Sequence, residues 1–151
     1  MNARRVVVLA VLGALAFNAH HAKASEVDLS VAGFSEHSKP GFNAINPGLG
    51  VRVANGALAW EAGEYKNSYR RATFYGIAEY TPLRVGALSA GAFAGVASGY
   101  SKPEDALRPF VGGFSVRYQP GQFGVALKIV PPAGAGTAGF VAVEFLVIRI
   151  K

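Results

Sequence analysis

The stretch RPFVGGFSVRYQPGQFGVALKIVP, from Arg108 to Pro131, decides how the rest of the chain is read. Phe110, Phe114, Val116 and Tyr118 share one face of an extended strand, and Gly113, Ser115 and Arg117 share the other, because successive side chains of a strand point to opposite faces. Gln119-Pro120-Gly121 follows as a turn. Phe123, Val125, Leu127 and Ile129 then oppose Gly124, Ala126 and Lys128. One face is bulky and apolar; the other is small, with an isolated charge. A lipid-facing exterior excludes charge, whereas a narrow lumen accepts charges that pair. Small inward residues suit an eight-stranded barrel, whose interior barely holds side chains. A soluble cup would reverse the pattern, with an apolar lumen and a polar exterior.

Outward from that stretch the alternation recurs. Leu58, Trp60 and Ala62 oppose Ala59, Glu61 and Gly63, and Val141, Val143, Phe145 and Val147 oppose Ala142 and Glu144. No segment after residue 24 keeps a helical period for ten residues, and turn signals recur every ~10–15 residues. The spacing predicts eight strands, at 26–35, 47–54, 57–66, 70–81, 86–98, 108–118, 122–131 and 139–150. An even number filling the chain fits an all-β, antiparallel up-and-down barrel of outer-membrane type. Asn55-Gly56, Pro82 to Val85 and Gln119 to Gly121 read as short turns at one end. Glu36 to Asn46, Asn67 to Tyr69, Gly99 to Leu107 and Pro132 to Ala138 connect at the other. Glu61, Glu79, Arg117, Lys128 and Glu144 are expected to form an inward network.

Residues 1–24 read as a cleavable signal peptide, leaving residues 25–151 as one barrel domain. Arg4 and Arg5 precede an apolar run from Val6 to Phe17, and Ala22-Lys23-Ala24 is a small-x-small cleavage site. The expected location is therefore the outer membrane of a Gram-negative cell. The chain ends Arg149-Ile150-Lys151, without the terminal aromatic residue usual in such barrels. The absence of cysteine excludes disulfides, zinc-thiolate sites and thiol nucleophiles. Without Arg4, Arg5 and Lys23, twelve basic residues face nine acidic ones, and no basic run points to nucleic acid. No glycine-rich phosphate loop or metal-ligand cluster is apparent, so no cofactor is expected. A closed barrel has no free edges and needs no second copy to cover them; membrane lipids are the expected partners, with the chain as a monomer.

After the signal segment, His37 is the only histidine. It enters the first long connection, and the alternating topology brings Asn67 and Ser68 to the same end. An imidazole near a hydroxyl is the pairing that activates a nucleophile. A loop histidine is also often just a solvated polar residue, and Asn-Ser is ordinary turn chemistry.

Several short motifs resemble the PagP lipid A palmitoyltransferases, eight-stranded outer-membrane barrels that move a palmitoyl chain from a phospholipid to lipid A. The resemblance runs from about residue 33 to 151. Lys66, Asn67, Ser68 and Tyr69 stand where that family has Lys-Asp-Ser-Trp. Phe74 to Tyr80 with Pro82 and Leu83, the run GAFAGVA from Gly91 to Ala97, and NAINPGLG from Asn43 to Gly50 are similar to its other motifs. The resemblance implies that Ser68 is an essential serine, that His37 is its histidine, and that Asn67 replaces an aspartate as a positioning group. It also implies that Pro47, Pro109 and Pro131 interrupt strand hydrogen bonding to admit lipid sideways. The family's N-terminal amphipathic helix has no counterpart. The expected function is thus an acyltransferase acting between phospholipid and lipid A. The alternative is a non-enzymatic barrel with a structural, adhesive or lipopolysaccharide-binding role.

Overall fold

A computed structural model describes residues 26–100, 109–132 and 138–150. The proposed signal segment lies outside the described residues, as do most of the third long connection and the middle of the fourth. Eight antiparallel strands close on themselves in sequence order: β1 (Glu26–His37), β2 (Ile45–Asn55), β3 (Leu58–Lys66), β4 (Ala72–Val85), β5 (Leu88–Ala97), β6 (Phe110–Tyr118), β7 (Gly124–Val130) and β8 (Phe140–Ile150). The expected number, order and closure of the strands are all present. β1 pairs with both β2 and β8, so no edge is left open.

The turn end is built from tight hairpins. Asn55 pairs with Leu58, so the loop is Gly56-Ala57 and not the Asn55-Gly56 expected from sequence. Gly56 has φ 61° and Gly86, in the matching Gly86-Ala87 loop, has φ 57°. A glycine of positive φ at the first loop position is the type II′ arrangement, which matches strand twist. β4 runs on to Val85, past the turn expected at Pro82. The β4–β5 register shifts between Tyr80 and Leu83, so Pro82, which has no donor, falls at an irregularity and the strand resumes beyond it.

The burial pattern is inverted relative to an ordinary soluble core. Asp28, Arg52, Glu79, Arg117, Glu61 and Lys128 are all buried, while Leu49, Trp60, Phe110, Phe114 and Phe145 are exposed. The described outward positions between Leu58 and Ala62 of β3, and along β5, β6, β7 and β8, carry no charged residue. Tyr80 and Tyr118 ring the outside near the turn end; Phe34 and Phe110 do so towards the loop end. Outward charges appear only at the margins, as Glu36, Glu64 and Lys66 at the loop end and Arg84 at the turn end.

All five expected lumen charges are paired there, and Asp28, Arg52 and Arg149 join them. Arg52 donates to Asp28 at 3.1 Å and to Glu79 at 2.7 Å. Arg117 lies 3.7 Å from both of those acids. Lys128 bonds Glu61 at 2.7 Å and lies 3.4 Å from Glu144. Arg149 bonds Asp28 at 2.8 Å because of a bulge. Leu29 pairs with Ile148 but Ser30 pairs with Leu146, leaving Val147 as the extra residue. The bulge inverts the alternation, so Ile148 and Ile150 face outward and Arg149 faces in. Val147 therefore does not extend the outward row of Val141, Val143 and Phe145 in the way the sequence suggests. Glycine makes room for this network. A Cβ on Gly50 would collide with the Tyr75 hydroxyl, and one on Gly63 would stand 2.8 Å from the Gly50 Cα. Only hydrogens there let Tyr75 reach across to donate to Glu61 at 2.8 Å.

Candidate functional site at the loop end of the lumen

β1 carries His37 to the rim as its last residue, and the turn after β3 brings Ser68 to meet it. Ser68 Oγ lies 2.7 Å from His37 Nε2, across 31 positions of sequence. With the imidazole proton on Nδ1, the Ser68 hydroxyl donates to Nε2, the arrangement that lets histidine take the proton. Aromatic rings hold the imidazole. Phe42 stacks on it at 4.7 Å between ring centres with 19° between planes, and Phe140 leans against it at 5.5 Å. The histidine is thus oriented by ring packing.

Asn67 acts on the turn that carries Ser68. Its side chain is completely buried. Its amide donates to Thr73 Oγ1 at 3.0 Å and to the Gly99 carbonyl at 3.2 Å. Its Oδ1 accepts from the backbone N–H groups of Tyr69 and Arg71 at 3.0 and 2.9 Å. Two donors and an acceptor are all used within the turn and its neighbours, and none reaches His37. Asn67 therefore fixes the backbone that presents Ser68, not the imidazole. An asparagine suits this place better than an aspartate, because a carboxylate cannot donate to the Gly99 carbonyl.

Below the pair lies a narrow chamber in the upper half of the lumen. Two voids of about 80 Å³ each share Tyr65, Ser68, Tyr100 and Phe140 as walls. The upper one opens at His37 and Ser68; the lower one passes Ile77 and Phe93 and ends on Lys128 and Glu144. Tyr65 and Tyr100 hydrogen-bond at 2.7 Å where the voids adjoin. The Glu61–Lys128–Glu144 group, with Tyr75, forms the floor. Ala32, Gly33, Ala97 and Ala142 keep the walls thin. Nothing in the residue pattern singles out Phe42, Tyr65, Tyr100 or Phe140. An aromatic residue on a barrel strand is as often outward as inward, and only the register decides.

Two of the three prolines coincide with weak places in the wall. The β6–β7 ladder stops at Phe114 and Ile129, leaving Gly113, Gly112 and Val111 unpaired with Val130, Pro131 and Pro132. This gap lies beside the chamber, since Val111, Val130 and Pro131 also line it. Pro47 falls at the β1–β2 irregularity between Ala32 and Phe34. Pro109 opens nothing: its carbonyl accepts from Ala97 N–H at 2.8 Å, and the β5–β6 ladder continues below it. The interruption expected at Pro109 is absent because a proline still offers its carbonyl.

The chain matches no protein-family model and no curated protein sequence.

Proposed function

We propose that this chain is an outer-membrane lipid acyltransferase, taking an acyl group from a phospholipid and passing it to a hydroxyl of lipid A. The observation that carries the reading is the Ser68–His37 contact of 2.7 Å at the mouth of a chamber walled by aromatic and small residues. The uncharged outward face supports placement in a bilayer, where an apolar band flanked by aromatic residues surrounds a polar lumen. The gap between β6 and β7 supports entry of lipid from the side.

The reaction runs as two displacements. His37 Nε2 takes the Ser68 proton as Oγ attacks the ester carbonyl carbon of the donor. The tetrahedral centre collapses, the ester C–O bond breaks, and the leaving alkoxide receives the proton from His37. A hydroxyl of the acceptor then attacks the acyl-serine, losing its proton to His37, and Ser68 leaves and recovers it. The acyl chain lies in the chamber throughout, away from water that would otherwise hydrolyse the intermediate. The test is the mass spectrum of lipid A from cells with and without the protein. A species heavier by one acyl group, lost in Ser68→Ala, supports the reading; an unchanged spectrum overturns it.

A second reading is a non-catalytic envelope barrel. It is favoured by the narrowness of the chamber, whose voids are each smaller than the roughly 150 Å³ cavity that admits benzene. A chain of many carbons needs Tyr65, Tyr100 or Phe140 to move aside.

A further inference from the structure

Ser68 borders two spaces at once. Inward it lines the chamber. Outward it lines a shallow groove with Phe42, Asn43, Tyr69, Arg70 and Arg71. The groove forms where the segment after β1 crosses the turn after β3, tied by the Asn43 N–H donating to the Ser68 carbonyl at 3.0 Å. Among the described residues its lining includes two arginines and no acidic residue. Both arginines are exposed. Arg70 also has φ 62°, the single non-glycine residue of positive φ among the described residues. That left-handed conformation is strained for a residue with a Cβ, and the Asn67 bonds hold it in place.

We propose that this groove is a phosphate subsite, in which Arg70 and Arg71 hold the phosphate of a lipid headgroup while its ester bond lies at Ser68. The inference rests on Ser68 and His37 being the ester site. In a glycerophospholipid the phosphate is only a few bonds from the ester carbonyls. An ester at Ser68 with its chain in the chamber therefore leaves the phosphate outside, within reach of the groove. The guanidinium fork matches phosphate oxygens in geometry as well as charge. The groove would thus set which end of the substrate enters the barrel and favour anionic or zwitterionic phospholipids over neutral glycerides.

The test uses ether-linked lipids, which cannot be cleaved, with the full folded protein in neutral detergent micelles. Binding of dihexyl-ether phosphatidylglycerol, dihexyl-ether glycerol and inorganic phosphate is measured by native mass spectrometry. The phospholipid is expected to bind about tenfold tighter than the neutral diether. Arg70→Gln with Arg71→Gln is expected to abolish that ratio and leave neutral-diether binding unchanged. Equal binding of both lipids by the unaltered protein, or a ratio that survives in the glutamine pair, overturns the proposal. Inorganic phosphate binding as tightly as the phospholipid also overturns it, by assigning the groove to free anions. If the glutamine pair does not fold, Arg70→Lys with Arg71→Lys decides: losing the fork must reduce the ratio by at least about threefold, and an unchanged ratio overturns it. Headgroup preference without any acyl transfer would instead sink the catalytic reading and leave the groove assigned.

Discussion

Ser68 becomes reactive, in the reading proposed above, only because two separate strands deliver it to a histidine. Replacing either partner should therefore be severe. Ser68→Ala and His37→Ala are each expected to lower acyl transfer by at least about a hundredfold, the usual scale of a positioned acid–base group, with the folded barrel retained on unheated gels. The imidazole must be neutral to accept the Ser68 proton. Activity should therefore fall as the pH drops through the titration of His37, and be regained as it rises; a rate independent of pH between 5 and 8 would argue against His37 as base. Asn67 offers a sharper contrast. Resemblance to the palmitoyltransferases suggests that Asn67→Asp would restore a missing carboxylate. The hydrogen bonds say the reverse: the substitution faces a carboxylate with the Gly99 carbonyl and loosens the turn. Asn67→Asp is expected to lower activity several-fold and leave the pH profile where it was. His37 and Ser68 could be singled out in the sequence because one histidine and one short polar run stand out in a chain of strands. The task of Asn67 could not, because it depends on backbone groups brought together only by the fold.

At the level of strands, alternation made most of the barrel legible. Phe110 to Tyr118 and Val125 to Ile129 face as their pattern says, since a one-residue slip would turn every charge outward. The pattern failed where a strand gains a residue. By simple alternation Arg149 would share the outward row of Val141, Val143 and Phe145, yet the bulge at Val147 turns it into the lumen against Asp28. Deleting Val147 should remove the bulge yet keep Leu29 opposite Ile148 and Arg149 in the lumen, so the urea midpoint is expected to hold, whereas Arg149→Ala takes a partner from Asp28 and is expected to lower it. The β6–β7 gap leads to a different measurement. Pro131→Ala supplies a backbone donor where the ladder now stops. It is expected to slow acyl transfer from bilayer phospholipid several-fold and leave cleavage of a short water-soluble ester nearly unchanged. Equal slowing of both would show that Pro131 shapes the chamber and not the entrance.

For the whole molecule, the lower lumen decides stability. Four acids, Asp28, Glu61, Glu79 and Glu144, meet four bases, Arg52, Arg117, Lys128 and Arg149, with most of the pairs shielded from water. Removing one member leaves an unbalanced buried charge. Glu79→Ala, which strips Arg52 and Arg117 of a shared partner, is expected to destabilise the barrel by about 3–5 kcal/mol, seen as an earlier denaturant midpoint. Five of these eight could be named from sequence by their place opposite bulky residues. Asp28 and Arg52 were obscured by strands whose outward residues are themselves small or of mixed size. The same network has a consequence for direction. It stops the lumen from below, while the chamber, the side gap and the arginine groove all open towards the loops. In the reading proposed above, the molecule is therefore handed with respect to a bilayer: it samples one leaflet and is blind to the other. Reconstituted with its loops facing a sealed vesicle's interior, it would leave lipids supplied from outside untouched, as a lock is useless to a key offered at its back plate.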